Sequence, residues 1–205
     1  MKDLADKAEV MLPRLRELAP RTEAMRRVSD ETIEAFRAAG FPRTLQPARY
    51  GGFELDYGTA QIELSTILGR ACGSSAWVSC VLASHGWLMG MFPPEAQEHV
   101  WGARSETIVG TAFTADTGTA RPVDGGFQVQ GQWKFSSGCD AAEWIIVGAP
   151  VPGENRRPRW CLLPKREWDI VDTWFAAGLR GTGSKDILIH DAFVPNEHVL
   201  DPAVN

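Results

Sequence analysis

The chain lacks any long run of lysine or arginine, and its formal net charge is -5. That argues against nucleic acid or an anionic membrane surface as its main partner. It also lacks an uninterrupted apolar run. The most apolar stretch, Ala76 to Phe92, is broken by Ser79, Ser84, His85 and Gly86. It therefore reads as a buried core helix and not as a membrane span. The N-terminal segment MKDLADKAEVMLPRLRELA has charges throughout and no apolar centre, unlike a secretory signal. Cysteine is sparse: Cys72, Cys80, Cys139 and Cys161 are scattered, with no CxxC pair and no histidine at ligand spacing. No metal site is predicted, and a reduced, cytoplasmic protein is expected. The RGTGS run at Arg180 to Ser184 lacks the spacing and lysine of a phosphate loop, and no βαβ unit surrounds it. It reads as a tight turn, with a ligand contact by Arg180 or Ser184 as the alternative. There is no supported Ser-His-Asp arrangement, no internal repeat and no low-complexity tract.

What is present is a chain of 205 residues, 44% hydrophobic and 23% charged, enough for one or two domains with a real core. The first half reads as helical. Leu4 to Leu18 is amphipathic, with a break or kink expected near Pro13. Ser29 is an N-cap, followed by Asp30 and Glu31 in the first turn. That helix turns Ile33, Phe36 and Ala39 inward and ends at Gly40 and Pro42. A Gly- and Pro-containing loop runs from Pro42 to Asp56. Helices are predicted from about Thr59 to Arg70, from about Ser74 to Met91, and from Pro93 to near Trp101.

The texture changes at about Arg104. Glu106 to Ala115 is strand-like, and Asp124, Gly125 and Gly126 signal a hairpin turn. Phe127, Val129, Trp133 and Phe135 then alternate with Gln128, Gln130, Gln132 and Lys134, a period of two with one buried face. Trp133 and Phe135 are accordingly read as core. Further strands are expected at Glu143 to Val151, Arg159 to Leu163, Asp186 to His190 and Ala192 to Val194. The predicted class is α+β: a helical domain over residues 1–104, then a small antiparallel barrel or sandwich over 105–205.

Two places could carry chemistry. The strand through Trp133 ends in Ser136, Ser137 and Gly138, a geometry that can hold hydroxyl and backbone donors rigidly against a flat, polar-edged ligand. The bland alternative is a serine satisfying its own turn. On the apolar helix, Trp77, Val81 and His85 fall at i, i+4 and i+8 and so share a face. A lone histidine there is ordinarily a satisfied core residue. His99, His190 and His198 read as surface residues and Trp87 as packing. Eight tryptophans are many for this length, and some could line a site for a planar molecule.

Four segments carry a family resemblance: RYGGFELDYG, SSAWVSCVLASHGW, QWKFSSGCDAAEW, and GLRGTGS with VPNEHVL. Together they resemble the acyl-CoA dehydrogenase superfamily, in particular its flavin-dependent monooxygenase branch, the oxygenase components of two-component aromatic hydroxylases. The resemblance implies that reduced flavin, FMN or FAD, arrives from a separate reductase. It implies a C4a-hydroperoxyflavin that hydroxylates a small aromatic substrate with molecular oxygen. On the same basis Ser136 and Ser137, with Thr111, Ala112, Phe113 and Thr114, are the expected flavin contacts. Ser136 and His85 are the expected catalytic residues, with Trp77 and His85 lining the substrate pocket. The family's second half is a four-helix bundle that mediates oligomer formation, and this sequence stops where it would begin. A homo-oligomer, or a companion chain supplying that bundle, is the expectation. The alternatives are a dehydrogenase oxidising an acyl thioester with FAD, or a catalytically inactive remnant or assembly partner.

Overall fold

The computed structural model describes residues 1–154 and 158–203. Helix α1 (Lys2–Met25) buries Leu4, Ala8, Leu12, Leu15, Leu18 and Thr22, a stripe at three- and four-residue spacing. The break expected at Pro13 does not occur, and the helix continues through both Pro13 and Pro20. Both prolines are exposed, so the carbonyls that lose their intrahelical donors lie toward water while the buried leucine stripe keeps the axis in place. Helix α2 (Asp30–Ala39) starts as the sequence reads: the Ser29 hydroxyl accepts from the Thr32 amide at 3.3 Å, and Gly40 closes the helix at φ 88°. Helices α3 (Tyr57–Gly69), α4 (Gly73–Met89) and α5 (Pro94–Trp101) complete the helical part. Apolar all round, α4 is buried along Ala76, Ser79, Ala83 and Gly86 and along Val78, Leu82, His85 and Met89. The third side of α4 is open.

Among the described residues the strands that follow are β1 (Val109–Ala112), β2 (Thr114–Ala115), β3 (Thr119–Val123), β4 (Gly126–Ser136), β5 (Trp144–Pro150), β6 (Pro158–Pro164), β7 (Asp169–Val171), β8 (Lys185–Pro195) and β9 (Val199–Leu200). One sheet has the order β1-β5-β6-β9, the other β2-β4-β8-β7, with β3 also paired to β4. Trp133, fully buried on β4, donates its indole N–H to the Gly148 carbonyl of the other sheet at 2.9 Å. That bond pins the two layers of a sandwich together.

Several expectations change. The single strand expected over Glu106 to Ala115 is split between the two sheets as β1 and β2. Pairing is not wholly antiparallel, because β1 runs parallel to β5. The stretches 186–190 and 192–194 form one continuous strand, β8. The Asp124-Gly125-Gly126 turn is as read, joining β3 to β4 with Gly125 at φ 76°. The period-two pattern of β4 fails at its end. A register irregularity between Trp133 and Ser136 comes with Phe135 at φ 67°, which turns this ring, expected in the core, out to solvent.

The main core does not respect the boundary at residue 104. One buried cluster joins Val28, Ile33, Val78 and Leu82 of the helical part to Val129, Trp133, Ile145 and Ile187 of the sheets.

Candidate flavin-facing site

Strand β1 is an edge strand, and an edge leaves backbone groups without a ladder partner. Here two side chains finish that edge. The imidazole Nδ1 of His85 lies 3.1 Å from the Val109 carbonyl, and the Ser136 hydroxyl donates to the Thr111 carbonyl at 2.8 Å. Carbonyls two residues apart in a strand point the same way, so α4 and the end of β4 are clamped along one rim of β1. A carbonyl only accepts, so Nδ1 of His85 carries the proton. Nε2 is then the acceptor, taking a hydrogen bond from the Thr111 hydroxyl at 2.8 Å. Burial holds the His85 pKa down at about 4, partly opposed by the bond to Val109. The imidazole is neutral, one tautomer, with both nitrogens engaged inside the chain.

Ser136 is completely buried, its hydroxyl turned inward. Its neighbour Ser137 faces the open side of α4. There the Trp77 indole N–H donates to the Ser137 hydroxyl at 3.0 Å, and Ser137 is paired with Ser184 at 2.8 Å. Ser184 in turn lies 2.7 Å from the Thr182 hydroxyl. This chain of hydroxyls ties α4, the end of β4 and the turn at 180–184 into one unit. The RGTGS segment is the tight turn expected, entered through Leu179 at φ 49° and left through Gly183 at φ 58°. Arg180 is exposed, whereas Ser184 and Thr182 are buried. Thr182 carries no signal in the sequence, because its partners are brought in from distant segments.

The expected site residues therefore fall into two groups. His85, Thr111 and Ser136 form a buried clamp, with Ala112 beside them. Trp77 at 47% exposure, Phe113, Phe135 and the half-buried Ser137 form the open rim, with Thr114 exposed at the same strand end. The Phe113 ring packs on Trp160, centroids 5.1 Å apart, over Gly148, where a Cβ would meet the ring at 2.9 Å. Phe135 meets Trp174 edge to face at 6.2 Å. The donor set suits an uncharged heteroaromatic ring with a polar edge: flat apolar faces, neutral hydroxyls and strand-end backbone, with no charged side chain among these residues.

Other predicted placements differ. His198, expected at the surface, is buried, and its Nε2 lies 2.8 Å from Nδ1 of His99. Trp87, expected to pack inside, is 46% exposed and stands edge to face on Tyr57 at 5.5 Å. A cleft of about 530 Å³ lies before the start of β1, lined by Arg37, Arg43, Arg104, Glu34, Glu106 and Glu143. Arg37 and Arg104 both pair with Glu143 there. This is an ion-pair network holding α2 to the sheet, and its charges are already mutually compensated.

Comparison with known proteins decides the relationship. No family model matches the chain. It is 39% identical over 194 residues to the flavin-dependent monooxygenase oxygenase subunit HsaA of Rhodococcus jostii (strain RHA1), covering 94% of this chain and 50% of that protein. The oxygenase component of the FADH2-dependent resorcinol hydroxylase of Rhizobium sp. (strain MTP-10005) is 36% identical over 188 residues, covering 90% of this chain and 46% of its own length. The crystal structure of 3-HSA hydroxylase from Rhodococcus sp. RHA1 superposes with a TM-score of 0.92 at 37% identity, over 97% of this chain and 52% of that one. By sequence and by fold, the chain is similar to flavin-dependent monooxygenase oxygenase subunits. It spans about half the length of the curated relatives it matches. The clamp and the rim described above thus lie in the half that this chain shares with those oxygenase subunits. Among the described residues no helix is long and apolar enough to cross a membrane.

Proposed function

We propose that this chain forms the flavin-facing part of the oxygenase component of a two-component monooxygenase that hydroxylates an aromatic substrate. Reduced flavin, FMN or FAD, would be delivered by a separate reductase, and when bound it supplies the oxygen-activating chemistry. The observation that carries the reading is the Trp77–Ser137 pair on the open side of α4, next in the chain to the Ser136–Thr111 bond that clamps the edge of β1, with Phe113 and Phe135 exposed at the adjoining strand ends. Relatives named as flavin-dependent and FADH2-dependent hydroxylase components support it.

In this reading the segment Thr111 to Thr114 and the pair Ser136–Ser137 hold the polar edge of the ring. The buried hydroxyls of Thr111 and Ser136 fix the backbone there, and the Ser137 hydroxyl makes the side-chain contact. Trp77 orients Ser137 and covers one side of the ring. His85 stays neutral and keeps the wall dry and rigid, which strengthens every fixed dipole aimed at the ligand. A role for its imidazole in moving a proton would first require breaking the Thr111 bond. The names of the relatives favour this function over oxidation of an acyl thioester.

Anaerobic titration of the chain with reduced FMN and reduced FAD, followed by tryptophan fluorescence, tests the proposal. Saturable binding is expected, weakened about tenfold by Ser137→Ala, which is about 1.4 kcal/mol. Absence of saturable binding by either flavin, or a Ser137→Ala protein that binds as wild type, would reject it.

A further inference from the structure

The open side of α4 is a stripe. Trp77, Ser84 and Trp87 lie along it, with Cys80, Val81, Leu88 and Met91 half-buried between and beyond them. It is apolar except at one point. There the Ser84 hydroxyl donates to the Cys80 carbonyl at 2.9 Å, which uses its only proton. The neighbouring Tyr57 hydroxyl, 3.0 Å away, is therefore the donor to Ser84. The phenolic oxygen of Tyr57 keeps its lone pairs, and the residue is 45% exposed. Tyr57 is held firmly: it is the first residue of α3, next to the Asp56 N-cap, which accepts from the Thr59 amide at 2.8 Å. Its ring is braced on Trp87. Beyond Trp87 the stripe runs into a cleft of about 250 Å³ lined by Leu45, Pro47, Leu55, Met91 and the carboxylate-bearing Glu54. This end of the stripe offers acceptors on apolar walls.

We infer that Tyr57 is a specificity-determining residue that accepts a hydrogen bond from a hydroxyl at the end of the substrate remote from the reacting ring. The inference rests on the functional reading above for where the reacting ring lies. Ser84 is seven residues beyond Trp77, so the acceptor stands roughly 10 Å along the helix from the rim. That separation matches an elongated aromatic of two rings or more, carrying a donor at its far end, laid along α4. A single-ring phenol would span only one end of the stripe.

Equilibrium binding of 4,4′-dihydroxybiphenyl and of 4-phenylphenol, read by tryptophan fluorescence without flavin, tests this assignment. Wild type is expected to bind the diol about five- to tenfold more tightly, the range of one neutral hydrogen bond. Tyr57→Phe keeps the ring on Trp87 and removes the oxygen. It is expected to bring the two affinities together and to leave that for 4-phenylphenol unchanged. An unchanged ratio in Tyr57→Phe, or failure of wild type to bind either probe, overturns the inference; the second result points to a protein partner covering the stripe. The flavin titration separates the two claims. Saturable flavin binding with an unmoved ratio sinks the Tyr57 assignment alone, whereas loss of the ratio in Tyr57→Phe without flavin binding sinks the oxygenase reading and keeps the subsite.

Discussion

Ser136 and Ser137 are adjacent, yet their hydroxyls answer to different physics. Ser136→Ala removes the side-chain donor to the Thr111 carbonyl, so the expected cost is about 1–2 kcal/mol of stability. Ser137→Ala breaks the link from Trp77 to Ser184 on the half-buried side, so it should lower the urea midpoint less than Ser136→Ala and act mainly on flavin binding. Measuring both quantities in both variants separates them; equal effects of the two on stability would contradict the division into clamp and rim. His85 adds a pH dependence of definite sign. Its pKa is depressed from 6.5 to about 4 in the folded chain, so between those values the unfolded state takes up a proton that the folded state refuses. The stabilising contribution is complete above pH 6.5 and is lost as pH falls toward 4, to the extent of about 3 kcal/mol. Urea midpoints taken from pH 7 to pH 4.5 should fall more steeply for wild type than for His85→Gln. Parallel curves would mean that the imidazole is already protonated or is not buried as described. The sequence made His85 and Ser136 visible as candidates through spacing and strand-end position. It could not show which way either side chain turns, because that depends on the carbonyls of Val109 and Thr111, residues distant in the chain.

Among the elements, legibility followed the locality of the cause. The cap at Ser29 and the turn at Asp124–Gly125 rest on a few neighbouring residues and were readable. The continuity of α1 through Pro13 was not, because the helix is held by leucines packed on α3 and by the solvent side on which both prolines lie. The outward flip of Phe135 was equally hidden, since it follows from the register shift between β4 and β8. The same strand depends on close packing invisible to composition. A Cβ on Gly118 would lie 2.3 Å from the buried Trp133 ring, which has no room to yield because its indole is bonded across to Gly148. Gly118→Ala is expected to cost about 2–3 kcal/mol through overpacking, seen as a lowered thermal midpoint with an altered near-UV tryptophan signal. A variant as stable as wild type would show that the loop before β3 can move away from the ring.

At the scale of the whole molecule, composition suggested a helical half and a β half, and the change of texture near Arg104 is real. The packing joins the two halves through a shared core. Val78 and Leu82 of α4 are buried in the same cluster as Val129, Trp133 and Ile187, and Arg37 of α2 bonds the Glu106 carbonyl and the Glu143 carboxylate at the start of the sheets. The rim is built from both halves too, through Trp77 on one side and Ser137 on the other. Neither half can loosen without dismantling it. Leu82→Ala therefore serves as a test on the whole molecule. It leaves a cavity beneath the junction and should cost about 3 kcal/mol. Because the core is shared, helix content followed by far-UV circular dichroism and sheet packing followed by Trp133 near-UV signal should shift together, with coincident urea transitions in wild type and variant. If the helical signal moved and the sheet signal stayed, the two halves would be separate folding units. A site assembled across their boundary would then form and dissolve with the motion between them, and flavin affinity would fall with Leu82→Ala at denaturant concentrations where the sheets are still intact.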